Sequence, residues 1–141
     1  MINLLFPKYY KYKKIHNSSY SLNNKLNNIN LNYGLYGIIS KSFGSISSSQ
    51  LESIRFILNK NIKKISKIWT IIYPNFPISK KSKSSRMGSG VGLISYWVYK
   101  VSPGSVIFEI EDIKFDLIKN IFNKISCRFP FKVCLVKKNY F

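Results

Sequence analysis

Residues 79–92, SKKSKSSRMGSGVG, combine Lys80, Lys81, Lys83 and Arg86 with three alternate glycines and no acid. A stretch of this kind is unfit for a core and suited to anions. Its cations supply charge, its serines supply hydroxyl donors, and its glycines let backbone amides approach a surface closely. Whatever core the chain forms must therefore be built on either side of it. Residues 69–73 (WTIIY) and 93–101 (LISYWVYKV) are apolar enough to be anchoring strands. The segment reads as a long basic, glycine-containing loop held at both ends by a scaffold. Arg86, Met87, Gly88, Ser89, Gly90 and Gly92 make up its glycine-bearing end.

The 141 residues fit one domain, and hydrophobic content of 45% argues against global disorder. The charge balance is extreme: 23 basic residues face 5 acidic ones, for a net +18. Self-repulsion of that size opposes compaction unless a polyanion neutralises it, which points to nucleic acid or an anionic membrane. No apolar run reaches the length of a membrane-spanning helix, so membrane insertion is not expected. Cys127 and Cys134 make no zinc-ligand pair and read as buried thiols in a reducing compartment. Alanine is absent and Ile, Asn, Lys, Tyr and Phe abound, a bias that tracks an AT-rich genome. The N-terminus has no charged signal region and no Arg/Ser-rich transit pattern, so synthesis inside the working compartment is expected.

Residues 1–32 read as a basic N-terminal arm followed by an Asn/Ser-rich loop, and residues 33–141 as a single α+β domain. In the arm Lys8, Lys11, Lys13, Lys14 and His16 interleave with Tyr9, Tyr10 and Tyr12, an arrangement that can grip phosphates and stack on exposed bases. Residues 33–42 are predicted to form a strand. Ser47 and Gln50 form a capping box, after which Leu51, Ile54, Leu58, Ile62 and Ile65 give a helix one apolar face. Residues 67–73 are a predicted strand, ended by Pro74 and Pro77, where the long loop begins. After residues 93–101, Ser102-Pro103-Gly104-Ser105 signals a type II turn, with residues 106–111 returning antiparallel. A second helix over 114–127 buries Leu117, Ile118, Ile121, Phe122 and Ile125, and residues 131–136 add a last strand. The expected architecture is two helices packed on a largely antiparallel sheet.

Catalysis finds little to work with. His16 is the only histidine and has no acid nearby in sequence. Glu109 and Glu111 share a strand face, and a two-carboxylate magnesium site of nuclease type is the one enzymatic alternative; a solvated strand end is the stronger reading. The glycines at 88, 90 and 92 precede a strand rather than opening a helix, which excludes a dinucleotide fold. No cofactor is expected. A basic peripheral membrane protein is a further alternative.

These residues, in this order, resemble the L-sixteen family of large-subunit ribosomal proteins, bacterial and organellar type. FPKYYKYKKIHN is similar to the family's P-K-x-x-K-[FY]-x-K-x-H-K opening, and YGLYGIISKSFGSISSSQLESIR to its F-G-x-x-G-[IL]…Q-[IL]-E-x-x-R block. KIWTIIYPNFPI, RMGSGVG, the Trp97–Val98 pair and Pro103–Gly104 follow its later pattern with similar spacing. The resemblance implies a non-enzymatic constituent of the large subunit near the A-site region, with neighbouring ribosomal proteins, large-subunit rRNA and A-site tRNA (with the P-site tRNA also in reach) as partners. It also implies a role late in subunit assembly. Lys8, Lys11, Lys13, Lys14 and His16, with Lys80, Lys81, Lys83 and Arg86, are then the expected rRNA contacts. Arg86 to Gly92 becomes the tip approaching tRNA. Ser89, Val91 and Asn17 stand where the family usually has lysines, so direct tRNA contact is expected to be weaker than rRNA contact. The expected setting is an organellar ribosome, in the mitochondrial matrix ahead of a plastid or apicoplast stroma, with an AT-rich bacterium as an alternative that fits the same composition.

Overall fold

The two amphipathic periods become the two helices of the computed structural model, which describes residues 5–11, 14–16, 30–62, 64–88 and 90–138. In chain order the elements are β1 (Tyr36–Ser40), β2 (Gly44–Ser47), α1 (Ser48–Ile62), β3 (Ile68–Thr70), β4 (Phe76–Lys80), β5 (Leu93–Val101), β6 (Val106–Ile110), α2 (Phe115–Ser126) and β7 (Val133–Lys137). The α1 cap forms as its sequence dictates. Ser47 N–H donates to Gln50 Oε1 at 3.0 Å, and Gln50 N–H donates back to Ser47 Oγ at 3.3 Å. Leu51, Ile54, Leu58 and Ile62 are then fully buried, each contributing about 1.5–3 kcal/mol of apolar burial. Ile65 lies beyond the helix end and is exposed, contrary to the periodic reading.

The α+β expectation holds, and the antiparallel strands divide into two sheets, ordered β3-β6-β1-β7 and β2-β5-β4. Helix α1 touches β3 of the first sheet and β2 and β5 of the second, so its apolar seam closes the core between them. Helix α2 packs on α1 and β7 through Ile118, Ile121 and Ile125; Leu117, expected inside, is exposed.

The 102–105 turn forms, with Gly104 at φ 84° and Ser105 N–H donating to Ser102 O at 3.1 Å. It does not return the chain along β5. Gly104 N–H donates to Ser40 O at 2.8 Å and Ser40 N–H to Ser105 O at 3.0 Å, which fastens the turn to the end of β1. Strand β6 therefore runs between β1 and β3. Two strands escaped the sequence reading. Strand β2 is four residues long. Strand β4 contains Pro77, a residue expected to end a strand; as an edge strand β4 tolerates the missing N–H.

On one face of the first sheet, Gly37, Glu109 and Trp69 form a row across β1, β6 and β3. The chain at residues 31–34 lies over this row. Leu31 fills the space above Gly37, where a Cβ would come within 2.4 Å of Leu31 Cδ2. Glu109 is 1% exposed, and its carboxylate accepts N–H bonds from Asn32 (3.3 Å), Tyr33 (2.6 Å) and Gly34 (2.9 Å). Exposed Glu111 accepts from Lys67 N–H at 3.3 Å. The two acids are thus separated by burial and committed to backbone, which removes the two-carboxylate metal site. Nor is Cys127 buried as expected. Cys134 is half-buried on β7; burial pushes its thiol pKa up, with Lys41 pulling the other way, so it stays protonated at neutral pH.

Candidate nucleic-acid interface

Strands β4 and β5 pair from Phe76↔Val98 to Lys80↔Leu93, so residues 81–92 are the loop of a long hairpin. The projecting segment thus starts two residues later than its composition suggested, with Ser79 and Lys80 in the strand. Gly92 forms the neck: a Cβ there would sit 2.5 Å from Lys80 O and 2.7 Å from Lys81 N, which only glycine avoids. Gly88 and Gly90 have φ of 108° and 74° and turn the chain back through conformations other residues resist. Lys81 Nζ donates to Gly88 O, and Ser85 N–H donates to Ser82 O at 3.1 Å, so the loop folds on itself. Lys80, Lys81, Ser82, Lys83 and Ser85 border an open concavity of ≈ 590 Å³. Arg86 and Met87 are exposed at the tip, Met87 completely.

The N-terminal arm is fastened to this hairpin. Leu5 packs against the main core, Tyr10 meets the Trp97 ring edge-on with centroids 4.9 Å apart, and Lys14 Nζ donates to Val91 O at 2.7 Å. An aromatic contact of this kind adds about 0.5–1.5 kcal/mol beyond its buried area. Lys8, Lys11 and His16 are exposed along the arm. Lys13 and Ser89, and residues 17–29 of the Asn/Ser-rich stretch, lie outside the described residues.

Arm and loop, distant in sequence, therefore form one surface. Its electrostatics are one-sided because the five acids are Glu52, Glu109, Glu111, Asp112 and Asp116, none of which lies in the arm, β4, the loop or β5. Glu52 is paired with Arg55 at 3.1 Å. Exposed ammonium and guanidinium groups, serine hydroxyls and a backbone bent by two left-handed glycines can hold phosphates. Among the described residues no three His, Cys, Asp or Glu side chains gather to hold a metal, and no helix is long and apolar enough to cross a membrane.

Sequence reasoning found the cations and the glycines but missed what organises them. Interleaved tyrosines in the arm hinted at ring contacts, yet nothing local names Trp97 as the partner of Tyr10. The stack of Tyr33 on Trp69 (centroids 6.0 Å) and the placement of Lys100 Nζ 4.0 Å over the Phe76 ring were equally invisible.

The family described as Ribosomal protein L16p/L10e matches residues 7–136. Among individual proteins, the chain is 37% identical over 136 residues to the large ribosomal subunit protein uL16 of Buchnera aphidicola subsp. Baizongia pistaciae, covering 96% of this chain and 98% of that one. It is 33% identical over 138 residues to the uL16 of Buchnera aphidicola subsp. Cinara cedri, with 96% and 98% covered. To the uL16 of Rhodospirillum centenum it is 31% identical over 135 residues, with 96% and 95% covered. The match spans the basic arm from Pro7, the hairpin loop, both helices and β7 up to Val136, and on that basis the chain belongs to the Ribosomal protein L16p/L10e family.

Proposed function

We propose that this chain is a structural constituent of the large ribosomal subunit that holds large-subunit rRNA through the joined arm–loop surface. The observation that carries the reading is the Lys14 Nζ–Val91 O bond, which unites two acid-free basic segments into one footprint. Lys8, Lys11, Lys13, Lys14, His16, Lys80, Lys81, Lys83 and Arg86 are the proposed rRNA contacts. The tip, Arg86 to Gly90, reaches toward A-site tRNA, and toward P-site tRNA where the two lie close, while Gly92, expected in the tip, serves as its neck. With Ser89 and Val91 uncharged, it acts there through Arg86 and its own backbone. Neighbouring ribosomal proteins complete its surroundings, and its placement supports late subunit assembly. The relatives described above are bacterial proteins. The AT-leaning composition fits a ribosome in the mitochondrial matrix, with plastid or apicoplast stroma, or an AT-rich bacterium, as alternatives.

The test is sedimentation of the tagged chain from its own cells at moderate salt. It should pellet with large subunits, and Arg86→Ala should slow subunit maturation while Lys60→Ala, on the exposed face of α1, should not. A chain that stays in the soluble fraction while other large-subunit proteins pellet would sink the reading. Fractionation of intact organelles decides the compartment: recovery in the bulk cytoplasmic ribosomes would overturn the mitochondrial placement alone.

A further inference from the structure

Tyr33 and Trp69 belong to neither the basic run of the arm nor the hairpin loop and do nothing in the reading above. Tyr33 is 64% exposed, yet its ring is stacked on Trp69 with centroids 6.0 Å apart and planes 23° from parallel. An exposed aromatic is ordinarily free to swing, and this one is fixed from below. The Glu109 carboxylate holds the N–H groups of Tyr33 and Gly34 at 2.6 and 2.9 Å. Gly34 itself lies so close to the Ile110 carbonyl that a Cβ would be 2.5 Å from its oxygen. Trp69 is set by its register opposite Glu109 on β6. Beside the ring pair a concavity of ≈ 480 Å³ is bordered by Leu5, Arg55, Ile72 and Tyr73. Arg55 at its border has a side chain 43% exposed, with its guanidinium paired to Glu52 at 3.1 Å.

A preorganised ring with one open face, a second ring behind it and a guanidinium at its edge matches an unpaired base with its phosphate. The base stacks on the open face and the cation meets the backbone. Charge complementarity favours this occupant over an acid-poor protein surface: the chain carries +18, and Glu109, opposite Trp69, and Glu52, beside Arg55, are already engaged. A duplex has no open base face to offer. We propose that Tyr33 and Trp69 form a stacking site for one unpaired nucleobase of RNA, with Arg55 taking the adjacent phosphate. The proposal rests on the RNA-binding reading and adds to it a base-facing contact that uses none of the cations of the arm and loop.

Affinities are measured on the full chain, and only the fluorescence series carries Trp97→Phe, so that indole emission there reports Trp69 alone. The probes are a short unstructured oligoadenylate and the same sugar–phosphate backbone without bases. The oligoadenylate should quench Trp69 saturably and the abasic strand should not. Tyr33→Ala should weaken oligoadenylate binding about tenfold and Tyr33→Phe by less than about twofold, as loss and retention of one stacked base require. Thermal melting of Tyr33→Ala, checked alongside, should fall by only a few degrees because the ring is mostly exposed. Equal quenching by the abasic strand would overturn the stacking site. So would unchanged affinity in Tyr33→Ala while Arg86→Ala weakens binding, and that outcome leaves the RNA-binding reading standing. If neither strand binds at any salt concentration, the RNA-binding reading itself fails.

Discussion

Glu109 shows how one side chain can set the course of a chain segment. Its charge is buried to 1% exposure and stays there because three backbone N–H groups converge on it. Glutamine has nearly the same shape but keeps one acceptor oxygen and turns two N–H donors toward donors. Glu109→Gln should therefore lower unfolding stability by about 1–3 kcal/mol, read from denaturant titration. Glu111→Gln, exposed and holding one 3.3 Å bond, should change it by no more than about 0.5 kcal/mol. Equal stability of the two variants would refute the anchoring role. Gly92 offers a second case. A Cβ at that position meets the rigid backbone of Lys80 and Lys81, so Gly92→Ala must open the hairpin neck. The expected result is lower affinity for rRNA with the core intact, measured as an unchanged far-ultraviolet dichroism spectrum beside a weakened binding curve. The sequence disclosed both residues but misread the first. Alternation put Glu109 and Glu111 on one face, and it cannot register that residues 31–34 cross over that face and claim Glu109 for backbone.

At the scale of elements, what was legible was local. Helix α1 was foreseen because its cap and its apolar seam lie within one short window, and α2 came out within one residue of its expected bounds at each end. The division into two sheets was not foreseen, because pairing depends on partners far along the chain. Strand β2 pairs with β5 and β1 with β7, and neither strand shows its partner in its own residues. Pro77 misled for a related reason: proline is excluded from central strands, and only the observed order places β4 at an edge. The arm's attachment is likewise a matter of distant partners, Tyr10 with Trp97 and Lys14 with Val91. Because the α1 cap is reciprocal, its loss can be measured in isolation. Ser47→Ala should cost about 1 kcal/mol of stability in denaturant titration, and Ser47→Asp should restore most of it. A Ser47→Ala chain as stable as the parent would mean that the capping box contributes nothing to holding α1.

For the whole molecule, the net charge of +18 makes two salt responses run in opposite directions. In the free chain, cations crowd surfaces with few acids to offset them, so added salt should screen self-repulsion and raise the melting temperature. On RNA the same cations displace condensed counterions, so added salt should weaken binding. If roughly 8 to 10 of them meet phosphates of a duplex, the logarithmic slope would be about −7 to −9. Lys14→Ala should flatten the slope by about 1 and also loosen the loop it braces, whereas Lys60→Ala on the α1 surface should leave the slope unchanged. Both responses can be recorded in one chloride series, melting in one arm and rRNA affinity in the other. A melting temperature that falls with salt would mean that attractive pairs outweigh repulsion in the free chain. An affinity that ignores salt would mean that the basic arm and loop are not where RNA is held.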